Sequence, residues 1–177
     1  RAQCDAVIVG GGTARADDPL LTSRGRRSPE PLRVVLSRSL DLPVAAQLWQ
    51  QDVASTLVAH AFSEALEPQA SRLAAMQALG VELQKLDRSE PGLLLSELAR
   101  RGCNRVLWEC GPGLASVALQ QGCVQEIAAV IAPKLLGGEL ARTPLGDLGF
   151  TAMDQVLSLN CEPGLSLGHD LLLKAQL

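Results

Sequence analysis

The stretch Asp5-Ala6-Val7-Ile8-Val9-Gly10-Gly11-Gly12-Thr13-Ala14-Arg15-Ala16-Asp17-Asp18-Pro19 decides the fold. It opens as a short apolar run and ends in three glycines, which is how a buried strand delivers its C-terminal end to a loop. The apolar pattern recurs at Arg33-Val-Val-Leu36, Ser55-Thr-Leu-Val-Ala59, Val81-Glu-Leu-Gln84 and Arg105-Val-Leu-Trp-Glu109. Helical segments lie between these runs. Residues 70–79 are rich in Ala, Leu and Met and stop at Gly80. Residues 91–101 begin with Pro91, gather Leu93, Leu94, Leu95 and Leu98 largely on one side, and end in Arg100, Arg101 and Gly102, as a capped amphipathic helix does. A further helix is expected over 114–121. Strands alternating with helices place the chain in the α/β class, with a mostly parallel sheet flanked by helices on both faces. After the apolar run at 127–131 the character changes. Residues 153–159 and 171–177 read as two strands joined by the turn-rich residues 160–168, an antiparallel C-terminal hairpin on the sheet.

The chain has 177 residues, 47% of them hydrophobic, which suits one domain over residues 1–177. Sixteen Lys and Arg against 19 Asp and Glu give a net charge of −3, no field for steering onto nucleic acid or an anionic membrane. Two Phe, two Trp and no Tyr leave the core to Leu, Val, Ile and Ala and disfavour base stacking. Cys4, Cys103, Cys110, Cys123 and Cys161 are odd in number and form no C-x-x-C pair, so neither a metal site nor a disulfide framework is indicated, and they read as reduced core residues. No run is long enough to span a bilayer. The expected compartment is the cytoplasm, or the plastid stroma in a plant. The start at Arg1, without Met and almost at once in a strand, leads us to expect upstream elements, a first strand among them.

In an open α/β sheet the ligand crevice lies beyond the carboxyl ends of the strands, and two loops there stand out. The first runs from Gly10 through Thr13, Asp17, Asp18 and Pro19 to Leu21, Thr22 and Arg24. Its glycines permit close backbone approach, and Thr13 at a helix start offers a hydroxyl and amides to a phosphate. Read blandly, Thr13 is an N-cap and Asp17 or Asp18 caps the next turn. The second loop is Trp108-Glu109-Cys110-Gly111-Pro112-Gly113-Leu114, where a strand ends in Glu and passes through two glycines into a helix. That arrangement suits a diphosphate, with Glu109 facing the crevice; a tight turn explains it equally well. The G-x-G-x-x-G spacing of the dinucleotide fingerprint is lacking. His60 and His169, outside both loops, read as structural.

Taken together, DAVIVGGGTARADDPLLTSR (5–24), PLRVVLSRSLDLP (31–43), LLLSELARRGCNRVLWECGPGLASVALQQG (93–122) and EIAAVIAPKLLGG (126–138) resemble, in order and spacing, the reductase domain of bacterial and plant riboflavin biosynthesis. The resemblance implies a fold similar to dihydrofolate reductase. It implies NADPH-dependent reduction of 5-amino-6-(5-phosphoribosylamino)uracil to the ribitylamino compound, by hydride transfer from nicotinamide C4 to C1′ of the opened ribosyl group. Carried over by position, Thr13 and Asp17 are NADPH contacts, as are Gly111, Pro112, Gly113, Leu114 and Ala115 in the loop and helix start that extend to Val117. Ser37 and Arg38 are further cofactor contacts, with Arg38 toward the 2′-phosphate. Arg1, Leu21, Arg24 and Glu109 are substrate contacts, Arg24 gripping the 5′-phosphate. Asp17, or a bound water, is the expected proton source, so Asp17 and Glu109 are the catalytic candidates. The resemblance also implies a homodimer and an upstream deaminase domain in the full-length chain.

The chain departs from the family pattern where Cys110 replaces a frequent Gly, Gly113 a frequent Thr and Gln125 a common Asp. The family's upstream Lys, Ser and Trp have no counterpart in these 177 residues, so this fragment alone is expected to be inactive. Rival readings are a pterin or dihydrofolate-type reductase of the same fold, against which a phosphate-binding Arg24 argues, a non-catalytic domain stabilising a fused partner, and a generic α/β binding module.

Overall fold

The computed structural model describes residues 1–61, 69–138, 141 and 143–177. The five apolar runs are strands: β1 (Ala6–Gly10), β2 (Leu32–Leu36), β3 (Thr56–His60), β4 (Glu82–Lys85) and β5 (Val106–Trp108). They form one parallel sheet in the order β4-β3-β2-β1-β5. Side chains alternate across it as the pleat requires. Val7, Val9, Val35 and Val58 point to one face, under Ala14 of α1 (Gly11–Asp17) and Leu73 and Met76 of α2 (Gln69–Ala78). Ala6, Ile8, Val34, Leu36, Leu57 and Ala59 point to the other. There they meet Leu94 and Leu98 of α3 (Pro91–Arg100) and Leu114 of α4 (Pro112–Gln120). Helices therefore cover both faces, as the alternation of elements in the sequence predicts.

α2, α3 and α4 stop in the same way. In α3, Gly102 N–H donates to Ala99 and Cys103 N–H to Leu98, at 2.9 and 3.0 Å, a Schellman closure that needs the positive φ of +84° at Gly102. Gly80 and Gly122 close the other two.

The second half is built differently. β6 (Glu126–Ile131), β7 (Asn160–Cys161), β8 (Leu165–Leu167) and β9 (Asp170–Gln176) make a second, antiparallel sheet around β9. The C-terminal hairpin exists as β8–β9, but it belongs to this second sheet and not to the parallel one. Residues 153–159 are not its first strand: they carry a 3-10 turn at Met153–Gln155 followed by irregular chain. Their apolar positions, 153, 156, 157 and 159, do not alternate, and β9 already pairs with β6 and with β7 and β8. The cysteines also depart from expectation. All five are free, but Cys123 alone among them is buried and Cys161 is exposed.

Candidate active site

From β1 the chain steps outward through β2, β3 and β4 and then returns to the opposite side of β1 as β5. The strand order thus reverses between β1 and β5, where loops leaving the carboxyl ends diverge and open a crevice. A cleft of about 780 Å³ lies there, walled by Gly10, Gly12, Thr13, Asp17 and Leu21 on one side and by Glu109, Cys110, Gly111, Pro112, Gly113 and Leu114 on the other. The two loops picked out in the sequence, about a hundred residues apart, are its two walls.

Thr13 is not a cap. Helix α1 starts at Gly11 behind an extended Gly10, and Thr13 in its first turn accepts the Gly111 N–H on its hydroxyl at 3.2 Å, tying the walls together. Asp17 and Asp18 divide the roles that sequence left open. Asp17 lines the cleft. Asp18, at φ +39°, accepts the Gln47 N–H at 2.8 Å, and its own carbonyl accepts the Gln47 side-chain amide at 2.8 Å. It therefore caps a 3-10 turn at Gln47–Trp49, far along the chain rather than next door.

Glu109 follows β5 and stays in register with β1 through its N–H on Ile8, at 2.9 Å. Its carboxylate takes two hydrogen bonds from the Arg1 guanidinium, that from Nε at 2.7 Å, while Arg1 Nη1 donates to the Thr22 carbonyl at 3.0 Å. The hydrogen bond to Glu109 raises the Arg1 pKa further. With side-chain exposures of 25% and 40%, the pair contributes orientation more than stability. Arg1 also borders a second recess of about 310 Å³, with Thr22, Ser23, Arg24 and Arg26. One guanidinium thus joins cleft and recess.

Helix α4 opens on the cleft behind Gly111, which is extended and offers no side-chain cap. Pro112 has no N–H, so the first amides, those of Gly113 and Leu114, lack helical partners and suit an anion. Burial raises the Cys110 thiol to a pKa of about 11, so it stays protonated at neutral pH. Leu21 and Arg24 hold positive φ, +55° and +58°, as non-glycine residues at functional sites often do. Arg38, on the exposed turn after β2, and Ala115 and Val117 in α4 lie outside the cleft lining. Ser37 is buried, its hydroxyl accepting the Leu40 N–H, and a Cβ on Gly11 would come within 3.1 Å of that oxygen. His60 is buried in β3 and His169 sits in the β8–β9 turn.

Sequence reading missed Arg26, Glu30 and Arg33. Arg33 is fully buried in β2, with its guanidinium on the carbonyls of Leu20, Gln47, Gln50 and Ala54. It pins the end of the first wall to the segment behind it. A charge inside a strand covered on both faces was the available signal, because such a charge must be buried and partnered.

Residues 1–173 match the family described as the RibD C-terminal domain. The riboflavin biosynthesis protein RibD of Synechocystis sp. is 48% identical over 172 residues, covering 96% of this chain and 45% of that protein. A 2,5-diamino-6-ribosylamino-4(3H)-pyrimidinone 5′-phosphate reductase of Methanothermobacter thermautotrophicus is 33% identical over 178 residues, covering 98% of this chain and 80% of that protein. The structure of Acinetobacter baumannii RibD, form 1, superposes with a TM-score of 0.79 at 27% identity, covering 98% of this chain and 46% of that one. The chain thus spans about half the length of the RibD proteins it matches.

Proposed function

Because the chain belongs to the RibD C-terminal domain family, we propose that it reduces the ribosyl group of 5-amino-6-(5-phosphoribosylamino)uracil with NADPH in riboflavin biosynthesis. The observation that carries this reading is the pairing of a cleft at the strand-order reversal with an arginine-lined recess, joined through Arg1 and Glu109. A phosphorylated, polar-headed substrate needs both, whereas an unphosphorylated pterin needs no such recess.

The donor set fits a dinucleotide: uncapped amides of Gly113 and Leu114 for the diphosphate, and open space beside Gly12 and Gly113 where a Cβ would meet nothing within 4 Å. Arg38, which makes no ion pair among the described residues, is assigned to the 2′-phosphate. Bound nicotinamide supplies the hydride. Thr13 holds the walls at a fixed separation, Glu109 binds donors of the substrate's ring or ribosyl group, and Arg24 grips its phosphate. Asp17 in the cleft wall, or a water bound beside it, is the source of the proton that the developing amine or alkoxide takes. Exposed Val130, Ile131 and Leu171 on the second sheet support a homodimer, and the shared half-length of the RibD relatives supports fusion to a deaminase domain. The compartment we assign is the cytoplasm or a plastid stroma; among the described residues no helix is long and apolar enough to cross a membrane.

The test is NADPH oxidation by the full-length protein given the deaminated phosphoribosylaminouracil, and separately its 2,5-diamino precursor, beside Glu109→Gln and Arg24→Ala. Oxidation with the deaminated compound, lost in both variants, is the expected result. Oxidation with the precursor alone moves the substrate to that compound, and none with either, in a protein that binds NADPH, rejects the reading.

A further inference from the structure

Residues 22–27 wind around one carboxylate. The Glu30 side chain accepts the Ser23 N–H, the Ser23 hydroxyl at 2.8 Å and the Gly25 N–H at 3.4 Å. Ser23 Oγ in turn accepts the Arg27 N–H at 3.1 Å, and Ser23 itself is buried. Thr22, Ser23, Arg24 and Arg26 of this loop border the smaller recess. Of the arginines nearby, two are committed: Arg1 to Glu109 and Arg27 to Asp5 and the Cys4 carbonyl. Arg24 and Arg26 are exposed, border the recess and form no ion pair among the described residues.

We propose that Glu30 is a positioning residue that winds residues 22–27 into an anion-gripping loop, and that Arg26 is a second ligand, beside Arg24, for the substrate's phosphate. The proposal rests on the reductase reading above. Three arginines within four positions repel one another, and Arg24 adopts the left-handed backbone that non-glycine residues avoid. A carboxylate at the hub offsets both, because its charge lowers the repulsion and its three donors fix the turn. Two free guanidiniums on one recess then match a phosphate dianion, each forming charge-assisted hydrogen bonds. Glutamine at position 30 keeps the size but loses the charge and presents N–H where N–H donors point.

The full-length protein tests this with Glu30→Gln and Arg26→Ala, assayed on the phosphorylated substrate and on its dephosphorylated counterpart. Each variant is expected to raise KM for the phosphorylated substrate about tenfold, the scale of one charge-assisted bond. The change falls on KM rather than kcat, NADPH affinity stays that of the wild type, and preference over the dephosphorylated compound drops by the same factor. An unchanged KM, or equal losses on both substrates, overturns the proposal while leaving the reductase reading intact. Should the wild type turn over neither compound, the reductase reading fails, and ribose 5-phosphate titration decides the loop separately. Binding that both variants lose sustains the anion site, and absent or unaffected binding rejects it.

Discussion

β1 and β6 are written in nearly the same alphabet, AVIVG and EIAAVI, and meet opposite fates. In β1 the residues Ala6, Val7, Ile8 and Val9 are 0% exposed, whereas Val130 and Ile131 of β6 remain 61% and 48% exposed. An apolar run specifies a strand; it does not specify what covers it. The parallel half finds its cover in helices supplied by its own crossover connections, as parallel connections require. Among the described residues the antiparallel half carries no α-helix to lie over it, and Val130, Ile131 and Leu171 are left on the surface. The site follows the same division, because both cleft walls and the recess belong to the covered half, while the second sheet offers surface.

The largest effect that would sharpen this contrast is at Arg33. Replacing it with Met takes the charged donor from the carbonyls of Leu20, Gln47, Gln50 and Ala54, and we expect a loss of about 3–5 kcal/mol in chemical unfolding, the scale of two or more hydrogen bonds to a charged group. A loss under 1 kcal/mol would mean that the parallel half does not depend on it. Next come matched truncations. Leu98→Ala, at 0% exposure, is expected to cost about 2–5 kcal/mol, and Val130→Ala in β6 less than about 1 kcal/mol in the dissociated protomer. Equal costs in the dissociated protomer would break the comparison, whereas a cost at Val130 that appears only in the dimer would mean that a second copy covers β6.

Much of this was legible beforehand, and the failures share a cause. The ends of β1, β2 and β3 fall within a residue of their apolar runs, because burial on both faces leaves no other reading for them. The two cleft walls followed from the rule for strand ends and needed no coordinates. Residues 153–159 misled because an apolar segment was read without asking whether any strand edge remained to pair with it. Contacts across long sequence separations were invisible in the same way: Arg1 with Glu109, Thr13 with Gly111, Asp18 with Gln47. Each depends on which strands become neighbours, and strand order is a property of the whole sheet rather than of any window along it.

A smaller effect is pH-dependent. The backbone N–H groups of Arg105 and Asn104, then Arg27, hold the Asp5 carboxyl below its usual range and fasten the start of β1 to that of β5. A carboxyl with a lowered folded pKa contributes stability above its unfolded pKa and loses it as pH falls through the folded one. Asp5→Asn is therefore expected to lower stability at pH 7 and to converge on the wild type in acid. Parallel stability curves across that range would show the contact to be idle. The smallest effect is chemical: Cys110, raised to about 11 by burial in the cleft, should alkylate more slowly at pH 8 than exposed Cys161 in the second sheet, and more slowly still with NADPH bound. Mass mapping of iodoacetamide adducts reads both sites, and faster labelling at Cys110 would contradict the contrast.

The most direct measurement of the central claim, that the cleft between the β1 and β5 ends holds the dinucleotide, uses Gly12→Leu. A Cβ at Gly12 meets nothing within 4 Å, the residue lies in helix α1 and borders the cleft, and Leu is the better helix former. The fold should therefore tolerate the substitution while the side chain fills the space a cofactor needs. NADPH titration and thermal unfolding of the full-length wild type and variant are the paired readouts. An unchanged Tm with NADPH affinity weakened about tenfold or more, the cost of about 1.4 kcal/mol, is the expected result. Wild-type affinity in the folded variant would place the cofactor elsewhere and contradict the account.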